Sequence, residues 1–163
     1  VPLDATPGGP AADSYCTVVE ADAYHSARLH NEAWAAASVV DKERVLKWAT
    51  SRLDTHCRYR GMRATSTQAL AWPRRGVVFD GATVSDTSIP LRLRGVVAEF
   101  AFRLLTEDWA AGVGPMVDDG MNVGPLKLTK ETHVPIPSEV VAMVEPLVLP
   151  RSTGLGSFSL VRG

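Results

Sequence analysis

No apolar run in this chain approaches the roughly 20 residues needed to cross a bilayer as a helix, so a membrane-spanning role is not expected. Cysteine is scarce. Cys16 and Cys57 stand far apart and no secretory apolar core precedes them, so a disulfide framework is not expected; both read as buried or semi-buried thiols. The opening residues are polar and rich in Pro and Gly, which predicts a protein made and kept in cytosol-like conditions. Excess charge of one sign is also missing. Seventeen basic against eighteen acidic residues give a formal charge of −1, so no global cationic field draws the chain onto nucleic acid or an anionic membrane.

Catalytic signatures are equally sparse. There is no G-x-S-x-G elbow, and Ser157, between Gly156 and Phe158, lies in a terminal tail and not at a strand-to-helix turn. Neither Walker-type nor dinucleotide glycine spacing occurs, so no phosphate cradle is expected. The four histidines, His25, His30, His56 and His133, fall into no HxxxH pattern, and there is no CxxC. His56 and Cys57 are adjacent, but adjacent side chains on a helix diverge by about 100° and cannot readily share one ion. Asp118 and Asp119 beside Gly120 read as a turn, because the further oxygen ligands of a calcium loop are absent. The expectation is a protein with no enzymatic activity, no cofactor and no metal.

What is present suits one ordinary domain. At 163 residues, roughly 68–70% of the unfolded surface can be buried on folding. Hydrophobic residues at 45% and charged residues at 21% place the chain among globular proteins. Residues 1–14, with Pro2, Pro7, Gly8, Gly9 and Pro10, read as an extended arm whose order would have to come from a neighbouring chain. A helical body is expected over 15–148.

Within it, Thr17 with Glu20 forms a capping box and opens a helix expected from Val18 to about His30. Ser38 with Asp41 opens a longer one to about Cys57, where Val45, Leu46, Ala49 and Leu53 recur at helical spacing. Trp34 lies in the connection, and Tyr24, Trp34, Trp48 and Trp72 are the expected aromatic anchors of the core. Periodicity fails over 58–88, a long irregular loop of the kind that is functional or interfacial. Pro90 then starts a third helix whose stripe, Leu93, Val97, Phe100, Ala101, Leu104 and Leu105, should face the Val45–Leu53 stripe; Gly112, Gly114 and Pro115 end it. Over 116–134 partial alternation predicts a β-hairpin about Asp118–Gly120, with Asp118, Asp119 and Val123 as contact residues. Pro137 opens a last short helix, Ser138 to about Val144, burying Val140, Val141 and Val144. Pro146 and Pro150 close it. An extended tail, 149–163, carries Leu155, Phe158, Leu160 and Val161, large apolar groups with no evident place in so small a core. The fold class is therefore mainly α: a bundle of three main helices and a short C-terminal one, with a long loop, a hairpin and extended termini.

One constellation has functional weight. Arg58, Arg60, Arg63, Arg74 and Arg75 interleave with Tyr59 and Trp72. They read first as a packed loop whose arginines pair with carboxylates, those of a neighbouring subunit included. The alternative is a single-strand platform, aromatic faces stacking bases while guanidinium groups hold phosphates.

Several short runs, in order and spacing, resemble the tailed-bacteriophage head-to-tail connector (adaptor, head-completion) family, often labelled DnaT-like single-stranded-DNA-binding. They are Thr17-Val18-Val19-Glu20-Ala21-Asp22-Ala23-Tyr24-His25, Trp34 ahead of a helix ending Arg52-Leu53-Asp54, and Tyr59-Arg60-Gly61. Gln68-Ala69-Leu70-Ala71-Trp72-Pro73-Arg74, Ile89-Pro90, Val123-Gly124-Pro125-Leu126 and Pro137 follow. The resemblance covers about Tyr15 to Leu149, and the two ends depart from it. It implies a virion subunit that forms a ring, usually of twelve copies, at the neck beneath the portal after synthesis in the bacterial host cytoplasm. Its implied partners are its own copies, the portal, a downstream tail or head-closure protein, and genomic double-stranded DNA passing through the channel without sequence-specific binding. The tail residues Leu155, Phe158, Leu160 and Val161 are the expected portal anchor, and a replication or packaging single-strand binder is the rival function.

Overall fold

Thr17 and Glu20 begin the body by satisfying each other's backbone: Glu20 N–H donates to Thr17 Oγ1 at 3.2 Å and Thr17 N–H to Glu20 Oε2 at 2.8 Å. In the computed structural model, which describes residues 2–107, 117–118, 121–123, 126–128, 131–132 and 136–150, this box opens α1, Val18–Ser26. The helix ends four residues short of the expected His30. Asn31 Nδ2 donates to the His25 carbonyl at 2.9 Å, and His30 takes a positive φ of 58°, so the chain turns back instead of continuing. The Trp34 connection is itself helical, α2, Glu32–Ala36. Ser38 caps α3, Val39–His56, as its sequence signal required.

The centre is α4, Leu91–Thr106. The expected stripe is present, but Val96, Ala98, Glu99 and Phe102 are buried as well, so the helix is covered nearly all round. Its most extensive contact is with α3, followed by α5, Ser138–Val144, and α1. Val45, Leu46, Ala49 and Leu53 of α3 meet Leu93, Val97, Phe100 and Ala101 of α4 in one cluster that also takes in Tyr15, Trp34, Trp72, Val140, Val144 and Leu147. α4 stops at Thr106, before the glycines expected to end it, as Glu107 turns to extended geometry.

Three burial expectations need correction. Trp48 is 40% exposed and Tyr24 37% exposed. Trp48 sits at the rim of α3, beside the inward Val45–Ala49 row, and Tyr24 lies across Gly95, where a Cβ would meet its ring at 3.3 Å. Val141 is 42% exposed because Val140 and Val144, four apart, own the inner face of α5. After α5 the chain does not stop at Pro146 but makes one 3₁₀ turn, Glu145–Leu147.

The N-terminal segment is also different from expectation. Residues 2–14 need no neighbour: Asp13 and Ser14 N–H both donate to the Asp4 carbonyl, Asp4 N–H returns to Asp13 Oδ1, and Ala69 N–H donates to Gly9 O at 3.1 Å. Lys47 pairs with Asp13 at 2.7 Å, and Ala12 and Ser14 are buried. The prolines reduce the freedom lost on ordering, and Gly8 supplies the positive φ of 71° that lets the turn close. The tail beyond Pro150, with Leu155, Phe158, Leu160 and Val161, lies outside the described residues.

Two small ladders interrupt the 58–88 loop: β1, Met62–Arg63, with β2, Arg74–Arg75, and β3, Val78–Phe79, with β4, Ala82–Thr83. The expected hairpin is β5, Val117–Asp118, β6, Met121–Val123, β7, Leu126–Leu128, and β8, Glu131–Thr132. β5 pairs with β8 and β6 with β7, and both ladders share one register, from Val117 opposite Thr132 to Val123 opposite Leu126. The reversal is therefore not at Asp118–Gly120. Asp118 is a strand residue opposite Glu131, and the reversal falls between Val123 and Leu126, which face each other across the ladder; residues 124–125 lie outside the described residues. Asp119 lies outside the described residues.

One buried group gives the core a pH dependence. His25 is fully buried, tilted against Trp34 at 4.5 Å and Phe102 at 5.5 Å between ring centroids, with Nε2 bonded to the Ala98 carbonyl at 3.1 Å and Nδ1 unpartnered. Burial depresses its pKa, against the opposing pull of the Ala98 hydrogen bond and of Glu99. A histidine held neutral in the fold binds its proton in the unfolded chain first, so stability is full above about pH 6.5 and falls as pH drops toward the lowered folded value. Unfolding free energies from urea titrations between pH 7.5 and 5 should decline through this group by at most about 1.4 kcal/mol per pH unit, and His25→Phe should flatten that slope.

Candidate functional site: the arginine-rich loop

Asp54, near the end of α3, is the point from which the 58–75 segment is hung. Its Oδ1 accepts from the Tyr15 hydroxyl at 2.6 Å, and its Oδ2 accepts from Ala71 N–H at 2.9 Å. The same Tyr15 oxygen accepts from Trp72 N–H at 3.1 Å, so α3, the entry to α1 and the signature run are tied at one carboxylate. Burial pushes the Asp54 carboxyl above its ordinary range, opposed by these hydrogen bonds, and it pushes the Tyr15 phenol far up.

Gln68, buried to 3%, works the same way from inside the loop. Its Oε1 accepts from Thr65 N–H at 2.9 Å, and Nε2 donates to the carbonyls of Leu70 and Pro73 at 2.9 and 3.1 Å. Trp72 inserts into the core at 1% exposure, edge-on to Tyr59, itself 6% exposed, and the Trp72–Pro73 peptide is cis.

The arginines follow the same pattern. Arg74 donates to the carbonyls of Arg60 and Gly61 at 2.6 Å each and of Ala71 at 3.1 Å. Arg63 spans those of Gln68, Ala69 and Leu70 at 2.9 to 3.1 Å. Arg75 donates to Ala64 O, and Arg60 Nε to Val148 O at 2.9 Å. Arg58 is exposed, and its carbonyl accepts from Leu149 N–H at 2.7 Å, so the end of the described C-terminal segment lies beside this loop. Among the described residues, Arg60, Arg63, Arg74 and Arg75 make guanidinium-to-carbonyl bonds in place of the expected pairing with carboxylates. A planar fork with five donors suits carbonyls converging from several directions.

Gly61 completes the loop. Its φ is +70°, and a Cβ there would stand 2.4 Å from the Arg75 carbonyl oxygen and 2.8 Å from Val77 Cγ2. Only glycine allows β1 to approach β2 this closely.

Two properties bear on nucleic acid. Residues 55–79 hold five arginines and no carboxylate, a local basic surface that a near-neutral total conceals. Against that, Tyr59 and Trp72, the aromatics interleaved with these arginines, are both buried and offer no face to a base, and the half-buried Phe79 has Arg92 over its ring at 4.8 Å. Among the described residues, the exposed aromatics Tyr24 and Trp48 lie on α1 and α3 instead. Among the described residues, no group of three or more His, Cys, Asp or Glu could hold a metal, and no helix is long and apolar enough to cross a membrane.

The model of a family described as "Putative DnaT-like ssDNA binding protein" matches residues 3–163. The chain belongs to this DnaT-like family. Of the two functional expectations, the family's description speaks for single-strand binding over a connector ring. No curated protein and no solved structure matches the chain. Of the residues that earn this DnaT-like chain its loop, Tyr15, Asp54, Gln68 and Gly61 had no role readable in the sequence. The only signal was that three of them stand in the short runs that carry the resemblance, and their partners are up to 57 residues apart.

Proposed function

We propose that the chain is a non-enzymatic structural subunit of a phage particle, a ring-forming adaptor in the virion neck between the portal and the next tail or head-closure protein, with double-stranded DNA passing through its channel. The observation that supports this reading is the use of the signature run: its aromatics are core, its arginines and Gln68 hold the loop's own carbonyls, and its product is a rigid shape with no open chemistry. A shape of that kind serves by presenting surfaces to other proteins. Contacts repeated about an axis are heterologous and close only when the rotation per subunit divides a full circle. Leu155, Phe158, Leu160 and Val161 of the tail are assigned to the portal, because a run of large apolar residues follows Leu149 in sequence and so small a core has no evident place for it.

Negative-stain images of the purified protein, alone and mixed with portal, test this reading. Closed rings, or added density at one portal end that is lost when residues 151–163 are deleted, are the expected result. Monomers that add nothing to the portal would contradict it.

Single-strand binding is the second reading, favoured by the family's description and by the carboxylate-free stretch 55–79. It would rest on the exposed Arg58, Arg60, Arg63 and Arg75 as phosphate contacts, without base stacking in the loop.

A further inference from the structure

α1 and α2 are held to the body by few buried side chains. Ala21 and His25 are the buried residues of α1 and Trp34 is that of α2, against Val45, Leu46, Ala49, Thr50 and Leu53 of α3. The two ends of this short pair are fixed independently of it. Before it, Tyr15 is tied to Asp54 and Cys16 is buried; after it, Ser38 caps α3. Residues 17–37 can therefore come away from α4 and return with both anchors in place, the behaviour of a local folding unit with few buried apolar contacts. The face of α4 that they cover is the row Gly95, Ala98 and Phe102. Tyr24 lies across the first, His25 bonds to the carbonyl of the second, and the His25 ring meets the third.

His25 sits at the centre of that contact, and its partner fixes its tautomer. A carbonyl only accepts, so Nε2 carries the proton of the neutral ring, and a second proton must go to Nδ1, which is buried and unpartnered. The neighbouring carboxylates are already engaged: Glu99 by Arg28 and Arg103, Asp22 by Lys42 at 2.9 Å and by Trp34 Nε1–H at 2.8 Å. Tyr24 stands edge-on to the ring, α2 offers it Trp34, and Glu139 of α5 lies behind Arg103. An imidazolium here would be a buried cation with an unmet N–H, close to the Arg28 guanidinium that lies over the Phe102 ring at 4.3 Å.

We propose that α1 and α2 form a latch over the Gly95–Phe102 face of α4 that acid opens as a unit, with His25 as its trigger. The latch goes beyond the adaptor reading and does not depend on it. The ion pairs that also tie it down, Glu20 with Arg94, Arg28 with Glu99 and Asp22 with Lys42, each have at least one partly exposed member. Such pairs hold little against the cost of an unpaired charge in the interior. In the open form His25 meets water and takes its proton near the ordinary value of about 6.5. The closed form is therefore fully favoured above that pH and loses up to about tenfold of its advantage per pH unit below it, until the lowered value of the buried ring is reached. Opening uncovers Ala98 and Phe102 while α3 keeps its own packing on α4.

Hydrogen exchange of the full chain, followed by mass spectrometry and corrected for the intrinsic pH dependence of exchange, tests the latch between pH 7.5 and 5. Peptides from 18–37 should lose about five- to thirtyfold of their protection, while those from α3 and α4 keep theirs. His25→Gln, whose side-chain amide can still donate to the Ala98 carbonyl but takes no proton, should leave 18–37 equally protected at both pH values. If that variant opens the latch at every pH, His25→Phe, which keeps a ring between Trp34 and Phe102, takes its place. Protection of 18–37 that is the same at both pH values, or that falls by the same factor in α3 and α4, would overturn the latch. A variant as acid-sensitive as the wild type would overturn His25 as its trigger.

Discussion

Asp54→Ala is expected to lower stability by about 2–5 kcal/mol, because it strips the acceptor from two groups at once, the Tyr15 hydroxyl and Ala71 N–H, each costing about 1–3 kcal/mol when left unsatisfied in the interior. For a domain whose total stability is about 5–15 kcal/mol, that is a large share. The loss should also spread, since Tyr15 holds Trp72 N–H and loses its own orientation. Asp54→Asn keeps the shape and one acceptor and removes a carboxylate that burial disfavours, so it should cost about 1–2 kcal/mol. Urea unfolding followed by tryptophan fluorescence measures both. An alanine variant within about 0.5 kcal/mol of wild type would remove Asp54 from its place at the head of the loop.

The second large effect separates two costs that glycine substitutions usually mix. Gly61 and Gly76 have almost the same backbone, φ +70° and +74°, but a Cβ on Gly61 would collide with the Arg75 carbonyl, whereas nothing lies within 4 Å of one on Gly76. Both alanine variants pay for left-handed geometry, about 1–2 kcal/mol. Gly61→Ala must in addition push β1 from β2, which displaces the Arg74 bonds to Arg60 O and Gly61 O, and its total should reach about 3 kcal/mol or more. Equal losses in the two variants, read from thermal or urea unfolding, would show that the close approach is not what this position requires.

Much of the helical body was legible because its signals are local. Two capping signals, Thr17 with Glu20 and Ser38 with Asp41, and Pro137 ahead of Ser138 placed three helix starts. The 3.6-residue recurrence from Val45 to Leu53 and from Leu93 to Leu104 identified the pair that packs at the centre. The misses arise where partners are remote. Residues 2–14 read as an arm because Pro and Gly forecast little packing, yet their bonds go to one another, Lys47 and Ala69. Trp48 and Tyr24 read as core by size alone, but position around the helix decides burial, and each sits one residue from an inward neighbour, Ala49 and His25. Asp118-Asp119-Gly120 read as the turn because local composition favoured it, while the ladder register, a pairing property, puts the reversal later, between Val123 and Leu126. Trp72 packs as its size and the following proline suggested, while Arg60, Arg63, Arg74 and Arg75 bond to carbonyls and not to the carboxylates that sequence suggested.

On the proposed reading, this run builds a scaffold and is not a nucleic-acid surface. Fluorescence anisotropy of a labelled oligothymidylate, titrated with the full chain from 20 mM salt upward, addresses it directly. The account predicts no saturable binding at low salt, and no change when Arg58 and Arg75 are replaced by alanine. Micromolar binding that weakens steeply as salt rises, and disappears in that double variant, would contradict the account and return the chain to the function its family's description names.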